Sequence, residues 1–151
     1  MKKENEIAIF AAGCFWHIEE VFSKIHGVIK TRVGYTGGKT INPTYDQVSG
    51  GQTGHAEAIE ITFDAKKISY KKILKIFWKI HNPTTMNRQG ADIGTNYRSA
   101  IFYTSDSQKK EAEKSKEELE KILKKTIVTE IKPATKFCPA EEYHQKYFCK
   151  K

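Results

Sequence analysis

The residue best suited to covalent chemistry is a cysteine at the end of an apolar, strand-like run. Cys14 follows residues 7–10 and a glycine turn at Gly13, and it opens a helical pattern of apolar residues. The first N–H groups of such a helix lack backbone partners, and with the helix dipole they favour an anion. Cys14 is therefore predicted to ionise more readily than a free thiol, whose pKa is about 8.5. The alternative is a small buried core residue, because free cysteine is among the most buried residue types.

A carboxyl group on an apolar strand face is the second candidate. The alternation over residues 56–63 places Glu57 on the face that carries Ile59, Ile61 and Phe63. Desolvation there would raise the pKa of Glu57 and let it act as a general acid. The alternative is a glutamate at the strand end that turns into solvent. His55 falls on the same face, either as a neighbour of Glu57 or as a turn residue.

Two polar, glycine-containing connections precede and follow this region. Residues 45–54 lack the terminal Lys-Ser/Thr of a phosphate loop, and they would let Tyr45 approach Glu57 as a phenolic hydrogen-bond donor. Residues 82–96 are crowded with hydrogen-bonding side chains, which is typical of a tightly bonded surface loop as well as of a site. The cysteines and five histidines show no short paired spacing, so no metal is predicted. No local signature supports a cysteine peptidase, although composition does not exclude one.

The elements that would position these residues form an α+β pattern. Strands are predicted over residues 7–10, 28–35, 56–63, 99–103 and 127–131, and helices over 14–25, 69–80, from 105 or 106 onward, and 140–148. In the long charged helix, Leu119, Ile122 and Leu123 form the strong apolar stripe. This order predicts a two-layer α/β sandwich with a ferredoxin-like core, long functional loops and a C-terminal helix, in a single domain over residues 1–151.

Size and charge exclude several classes of protein. The 151 residues carry a net charge of +8, but the lysines of residues 66–79 and 109–125 follow helical patterns, and in the second segment they alternate with glutamate. This distribution favours solvated helix faces over a nucleic-acid groove. No run is long enough to span a membrane, and the first residues do not read as a signal peptide. Three cysteines without short pairing favour a reducing compartment, so a cytoplasmic protein is predicted.

Several segments together resemble one family, the peptide-methionine sulfoxide reductases of the A type. The segments are 13–16, 34–38, 45–58, 81–99 and 140–145, and the resemblance spans residues 7–147. Five motifs in the right order make this resemblance specific. It implies reduction of methionine-S-sulfoxide, free and in proteins, as repair of oxidised proteins.

The resemblance also implies a role for particular residues. Cys14 would attack the sulfoxide sulfur, and Glu57 would protonate the oxygen, to which Tyr45 and Tyr97 would donate hydrogen bonds. Phe15 and Trp16 would form the apolar wall for the S-methyl group. Asp92 and His144 would hold the backbone of the substrate. Cys14 would pass through a sulfenic acid, with thioredoxin as reductant and no cofactor, in a monomer.

The cysteine that resolves the sulfenic acid stays open. Cys149, flanked by lysines near the end of the chain, is favoured. Cys138, between Phe137 and Pro139, is predicted to be fixed and partly buried, and recycling by an external thiol is the third route. Two other functions compete with the reductase. One is a binding module for nucleic acid or protein on a ferredoxin-like sheet, and the other is a general thiol peroxidase, which would not need Glu57.

Overall fold

A computed structural model describes residues 5–13, 15–38, 55–89, 92–94, 97–135 and 137–140, with only the backbone described for Arg88, Asp92 and Ile93. In chain order, the elements within these ranges are β1 (Asn5–Ala12), α1 (Phe15–Phe22), β2 (Val28–Thr36), β3 (Ala56–Asp64), α2 (Tyr70–Lys79), β4 (Arg88–Gln89), β5 (Asp92–Ile93), β6 (Ser99–Tyr103), α3 (Asp106–Leu123), β7 (Glu130–Pro133) and β8 (Cys138–Pro139). None of the described helices combines the length and the apolar character that a bilayer crossing requires.

Six strands form one sheet in the order β7-β6-β1-β3-β2-β8, and β4 pairs with β5 apart from it. At the centre, β1 pairs antiparallel with both β3 and β6, and β2 pairs antiparallel with β3. With α1 between β1 and β2, and α2 between β3 and β6, this is the β-α-β-β-α-β arrangement of a ferredoxin-like core. The edge strands extend it, β7 parallel to β6 and β8 antiparallel to β2. The predicted fold class is confirmed.

The main core lies between one face of the sheet and the helices. It includes Phe10 of β1, whose ring stacks on that of Phe77 of α2 at a centroid distance of 4.6 Å. The opposite face carries a smaller cluster of Ile9, Ala11, Ala56, Ala58, Ala100 and Phe102. Because successive strand residues alternate between faces, Glu57 lies on the helix side, between Ala56 and Ala58 of the other side.

Serine caps begin α2 and α3 at the predicted helix starts. The Ser69 side chain accepts a hydrogen bond from the Lys72 N–H at the start of α2, and Ser105 accepts one from the Gln108 N–H at the start of α3. Each cap satisfies an N–H group that has no partner within its helix. The local sequence therefore determines where these helices begin.

The predicted apolar stripe of the long helix is wrong. Ile122 and Leu123 are 75% and 42% exposed, and Leu119 alone of the three packs against the core. The buried side of α3 is instead formed by Gln108 and Ala112. Helix α3 is buried through small and polar side chains, whereas Leu123 in its last turn borders a cavity together with Leu119 and Trp78.

Two predicted boundaries also differ. Residues 127–129 precede β7, since the Val128 N–H donates to the Pro83 carbonyl rather than to a strand. Strand β2 agrees with the prediction to within one residue, and residues 39–54 of the connection that follows it lie outside the described residues. The N–H of Ala140, the first residue of the predicted C-terminal helix, donates to the Val33 carbonyl beside β8. The rest of the predicted C-terminal helix lies outside the described residues. Helix α1 ends at Phe22, before the Ile25 of the predicted pattern.

Candidate active site

The predicted strand–turn–helix unit is present around position 14. β1 ends at Ala12, Gly13 has a φ of +91°, and α1 begins at Phe15. A positive φ of this size suits glycine, since a side chain strains the backbone there. Cys14 itself lies outside the described residues, so its position follows only from its neighbours in the chain.

Glu57 is buried at the start of α1. The residue is 1% exposed, and its Oε1 accepts a hydrogen bond from the Phe15 N–H at 3.4 Å. This N–H belongs to the first helical residue and has no partner within the helix, so the carboxyl group satisfies it. The burial predicted for Glu57 is confirmed, and the alternative of a glutamate turned into solvent is wrong. The bond brings the carboxyl group to the residue that follows Cys14.

Aromatic rings surround this carboxyl group on the helix side of the sheet. Tyr35 pairs with Glu57 across β2 and β3, and its ring lies 5.7 Å from the ring of Phe15. Phe15 and Tyr35 are both fully buried. Trp16 is half-buried, packs against the same core and has its ring 6.4 Å from that of Phe15. Trp16 therefore continues the buried aromatic cluster to the surface.

Cys138 lies in the same row of residues. It pairs with Tyr35 across β2 and β8, just as Tyr35 pairs with Glu57 across β2 and β3. Neighbouring strands are about 4.8 Å apart, so Cys138 is roughly 10 Å from Glu57 along the row. Cys138 is a free thiol and is 6% exposed, which confirms its predicted burial.

The other predicted site residues are placed in part or not at all. Tyr97 is half-buried, and its N–H donates to the Gly94 carbonyl at 3.0 Å. Asp92 pairs with Gln89 through the β4–β5 backbone. Tyr45, His144 and Cys149 lie outside the described residues. The structure thus brings together Phe15, Trp16 and Glu57 and leaves the roles of the others as predictions.

His55, the residue before β3, bonds to the backbone of the segment after β2. Its Nδ1 accepts a hydrogen bond from the Gly38 N–H at 3.0 Å, and the residue is 4% exposed. The ring therefore holds the start of the connection that follows β2. Of the two predictions for His55, the turn residue agrees better with this bond.

The sequence did not predict a partly buried chain of hydrogen bonds that links His81, Ser99 and Thr129. His81 Nδ1 lies 2.7 Å from the Phe77 carbonyl oxygen, and Nε2 lies 2.7 Å from the Ser99 hydroxyl. Because a carbonyl only accepts, Nδ1 carries the proton and Nε2 accepts from Ser99. The Thr129 hydroxyl, 2.7 Å from that of Ser99, then donates to it. Burial lowers the pKa of His81 to about 4, although the bond to the Phe77 carbonyl acts in the other direction. The imidazole is therefore neutral at pH 7.

Glu19 was also missed as a candidate. It lies one turn after Phe15 on α1 and is 1% exposed, on the side that carries Ile18 and Phe22. Its spacing of four from Phe15 was the available signal, since residues four apart share a helix face. Among the described side chains, no group of three or more histidine, cysteine or acidic residues could hold a metal ion.

The sequence model of the family described as "Peptide methionine sulfoxide reductase" matches residues 6–151. The chain belongs to this family. A relative named peptide methionine sulfoxide reductase MsrA, from Methanosarcina acetivorans, is 58% identical over 148 residues, which are 97% of this chain and 79% of the relative.

Solved structures of relatives agree with the family. Reduced Mxr1 from Saccharomyces cerevisiae matches with a TM-score of 0.93 at 37% identity, covering 97% of this chain and 86% of Mxr1. Mxr1 in complex with Trx2 matches with a TM-score of 0.68 at 26% identity, covering 97% and 89%. Membership makes the chain an oxidoreductase for oxidised methionine, a lesion that this class of enzyme reverses.

Proposed function

We propose that this peptide methionine sulfoxide reductase reduces the S epimer of methionine sulfoxide, free and in proteins, with Cys14 as nucleophile and Glu57 as general acid. The observation that carries this proposal is the hydrogen bond from the Phe15 N–H to Glu57 Oε1. It holds a buried carboxyl group beside the residue next to Cys14, at the start of a helix. A nucleophile and a proton donor can then act on the two ends of one sulfur–oxygen bond.

The chemistry balances without a cofactor. The Cys14 thiolate attacks the sulfoxide sulfur while Glu57 protonates the oxygen, which weakens the sulfur–oxygen bond. Transfer of the protonated oxygen to the Cys14 sulfur breaks both the sulfur–oxygen bond and the new sulfur–sulfur bond and leaves methionine and a cysteine sulfenic acid, so methionine sulfur gains the electron pair that Cys14 loses. The proton that Glu57 gives up is restored by the proton lost from the Cys14 thiol.

The buried aromatic cluster supports recognition of the S-methyl group. Trp16 would provide the accessible wall, and Phe15, fully buried between Trp16 and Tyr35, would hold that wall in place. Tyr45 and Tyr97 are proposed to donate hydrogen bonds to the sulfoxide oxygen. Asp92 and His144 are proposed to hold the substrate's backbone. With the methyl on one side and the oxygen donors on the other, the S epimer is selected.

Recycling is proposed to pass through a disulfide. A second thiol, Cys149 or else Cys138, condenses with the Cys14 sulfenic acid and releases water, and thioredoxin then returns two electrons. The structure of Mxr1 in complex with Trx2 supports thioredoxin as the partner. The burial of Cys138 within β8 supports Cys149 over Cys138, since a thiol held in a paired strand is less free to move to Cys14 and form a disulfide. We also propose that the chain is a single catalytic domain over residues 1–151, and that it acts as a cytoplasmic monomer.

The decisive experiment uses the two separated epimers of methionine sulfoxide, with dithiothreitol as reductant. The wild-type protein is expected to reduce the S epimer and leave the R epimer unchanged. Cys14→Ser should have the same circular dichroism spectrum as the wild type. It should keep less than a few per cent of the wild-type activity, because a serine hydroxyl ionises far less readily than a thiol. Reduction of both epimers at similar rates, or substantial turnover by Cys14→Ser, would contradict the proposal.

A further inference from the structure

The turn that carries the nucleophile is covered by a side chain from another part of the chain. A Cβ built on Gly13 would lie 2.9 Å from both the Cβ and the Cγ of Gln89. The stem of Gln89 therefore rests directly on the backbone that leads into Cys14. Glycine has the widest conformational freedom of any residue, so this backbone depends on its neighbours to hold one shape.

The amide end of Gln89 is fixed in turn by the main chain of Asn82. Gln89 Nε2 donates to the Asn82 carbonyl oxygen at 2.7 Å, and the Asn82 N–H donates to Gln89 Oε1 at 2.9 Å. The side-chain amide of Gln89 thus uses both its NH₂ group and its oxygen to bond the backbone carbonyl and N–H of the single residue Asn82. We call this pair the Gln89–Asn82 clamp. It leaves the stem of Gln89 little freedom to move off Gly13.

The segment that carries Asn82 is anchored to the strands beneath the turn. His81 bonds through Nε2 to Ser99, and Ser99 pairs with Ala12, the last residue of β1. The Asn82 side chain also accepts hydrogen bonds from the N–H and the hydroxyl of Thr84, at 3.0 and 2.6 Å. The Asn82 end of the clamp is thus tied, through its neighbour His81, to the strand that leads into Gly13.

We propose that Gln89 is a positioning residue for the reductase reaction: the Gln89–Asn82 clamp holds the Gly13 turn and so fixes the direction in which Cys14 presents its sulfur to the substrate and to Glu57. This inference rests on the proposed role of Cys14 as the nucleophile. Gln89 does not touch the reacting atoms in this scheme. Its effect is geometric, and a misplacement of about 1 Å can cost roughly 100-fold in rate.

The test is the variant Gln89→Met, which keeps a stem of similar length over Gly13 and removes both bonds of the clamp. We expect kcat for S-sulfoxide reduction to fall about tenfold or more, while KM changes less than twofold, because the substrate contacts remain. Met86→Ala is the matched control. Met86 lies in the same segment and is 65% exposed, so its truncation should leave both constants unchanged.

A second measurement does not depend on sulfoxide reduction. The rate of alkylation of Cys14 by iodoacetamide, followed by peptide mapping across a range of pH, reports how the thiol is presented. We expect Gln89→Met to change the rate or its pH midpoint, and Met86→Ala to match the wild type. If the wild type does not reduce sulfoxides, the proposed function is wrong. The alkylation rates still test whether the Gln89–Asn82 clamp affects the reactivity of Cys14.

Several results would overturn the inference. One is a folded Gln89→Met protein with wild-type kcat and wild-type alkylation of Cys14. Another is a rise in KM with unchanged kcat, which would mean that Gln89 acts on substrate binding. Loss of the folded state in both Gln89→Met and Gln89→Ala would also overturn it, since the clamp would then serve folding and not the position of Cys14.

Discussion

The substitution Glu57→Gln separates the chemical role of this residue from its structural one. Glutamine has nearly the same volume and keeps a carbonyl oxygen that can accept the hydrogen bond from the Phe15 N–H. The neutral side chain also suits a site that is 1% exposed. We therefore expect the free energy of unfolding to change by no more than about 1 kcal/mol.

The rate of the chemical step should respond very differently. Glutamine has no proton to give to the sulfoxide oxygen, and the loss of a general acid costs roughly 100- to 10,000-fold. At about 1.36 kcal/mol per factor of ten, this raises the barrier by about 2.7 to 5.4 kcal/mol. The expected effect on the barrier thus exceeds the expected effect on stability several-fold.

The assay is a single turnover of the S epimer without added reductant, with formation of methionine and of oxidised Cys14 followed together. The control is Glu60→Gln on the same strand. Glu60 is half-buried and forms an ion pair with Arg32 at 3.1 Å. It lies on the opposite face from Glu57, so its loss should leave the rate unchanged.

Three results would refute this reasoning about Glu57. The first is an unchanged single-turnover rate in Glu57→Gln, which would make the carboxyl group purely structural. The second is an equal loss of rate in Glu57→Gln and Glu60→Gln, which would point to a general effect on the sheet. The third is a pH dependence of the single-turnover rate that is the same in Glu57→Gln as in the wild type, which would show that the rate does not depend on the ionisation of Glu57.

The remaining predictions concern recognition, recycling and stability. Trp16→Ala should raise KM, with a loss of binding free energy of at most a few kcal/mol, and should weaken the preference for S-methyl over larger S-alkyl sulfoxides. Steady-state kinetics with both substrates can measure this, and unchanged constants would place the wall elsewhere. Cys149→Ser should retain the first turnover and lose thioredoxin-driven cycling, as followed by thiol counting and peptide mapping; a lasting sulfenic acid on Cys14 in the wild type, with both other thiols free, would refute it. Because burial lowers the pKa of His81 from 6.5 to about 4, the unfolded chain binds the proton first as pH falls. The free energy of unfolding should thus decrease by up to about 3 kcal/mol between pH 6.5 and 4 relative to His81→Gln, as measured by urea denaturation, and parallel curves for both proteins would contradict it.

Local pattern was sufficient for the central elements and for the face on which Glu57 lies. Apolar residues at every second position of residues 56–63 determine which side of β3 meets the core, whatever packs there. Ser69 and Ser105 determine the starts of α2 and α3, because a cap acts within one turn of its own helix.

Pattern failed where burial depends on what lies opposite. Leu119, Ile122 and Leu123 form an apolar stripe by spacing, yet only Leu119 packs against the core, since spacing does not show what lies opposite each residue. Glu19, on which no prediction was made, shows the converse case. Its charge suggests an exposed position, but its helix face is turned to the core.

The sequence by itself determined the candidate nucleophile, the candidate acid, the core strands and helices, and the family resemblance. Only the tertiary structure showed that Phe15 and Glu57, 42 residues apart, share a hydrogen bond, and that Tyr35 and Cys138 extend one row from Glu57. It alone placed Gln89 over Gly13. The physical reason is that periodicity and capping act over a few residues, whereas these contacts depend on strand register and on how loops pack across the sheet.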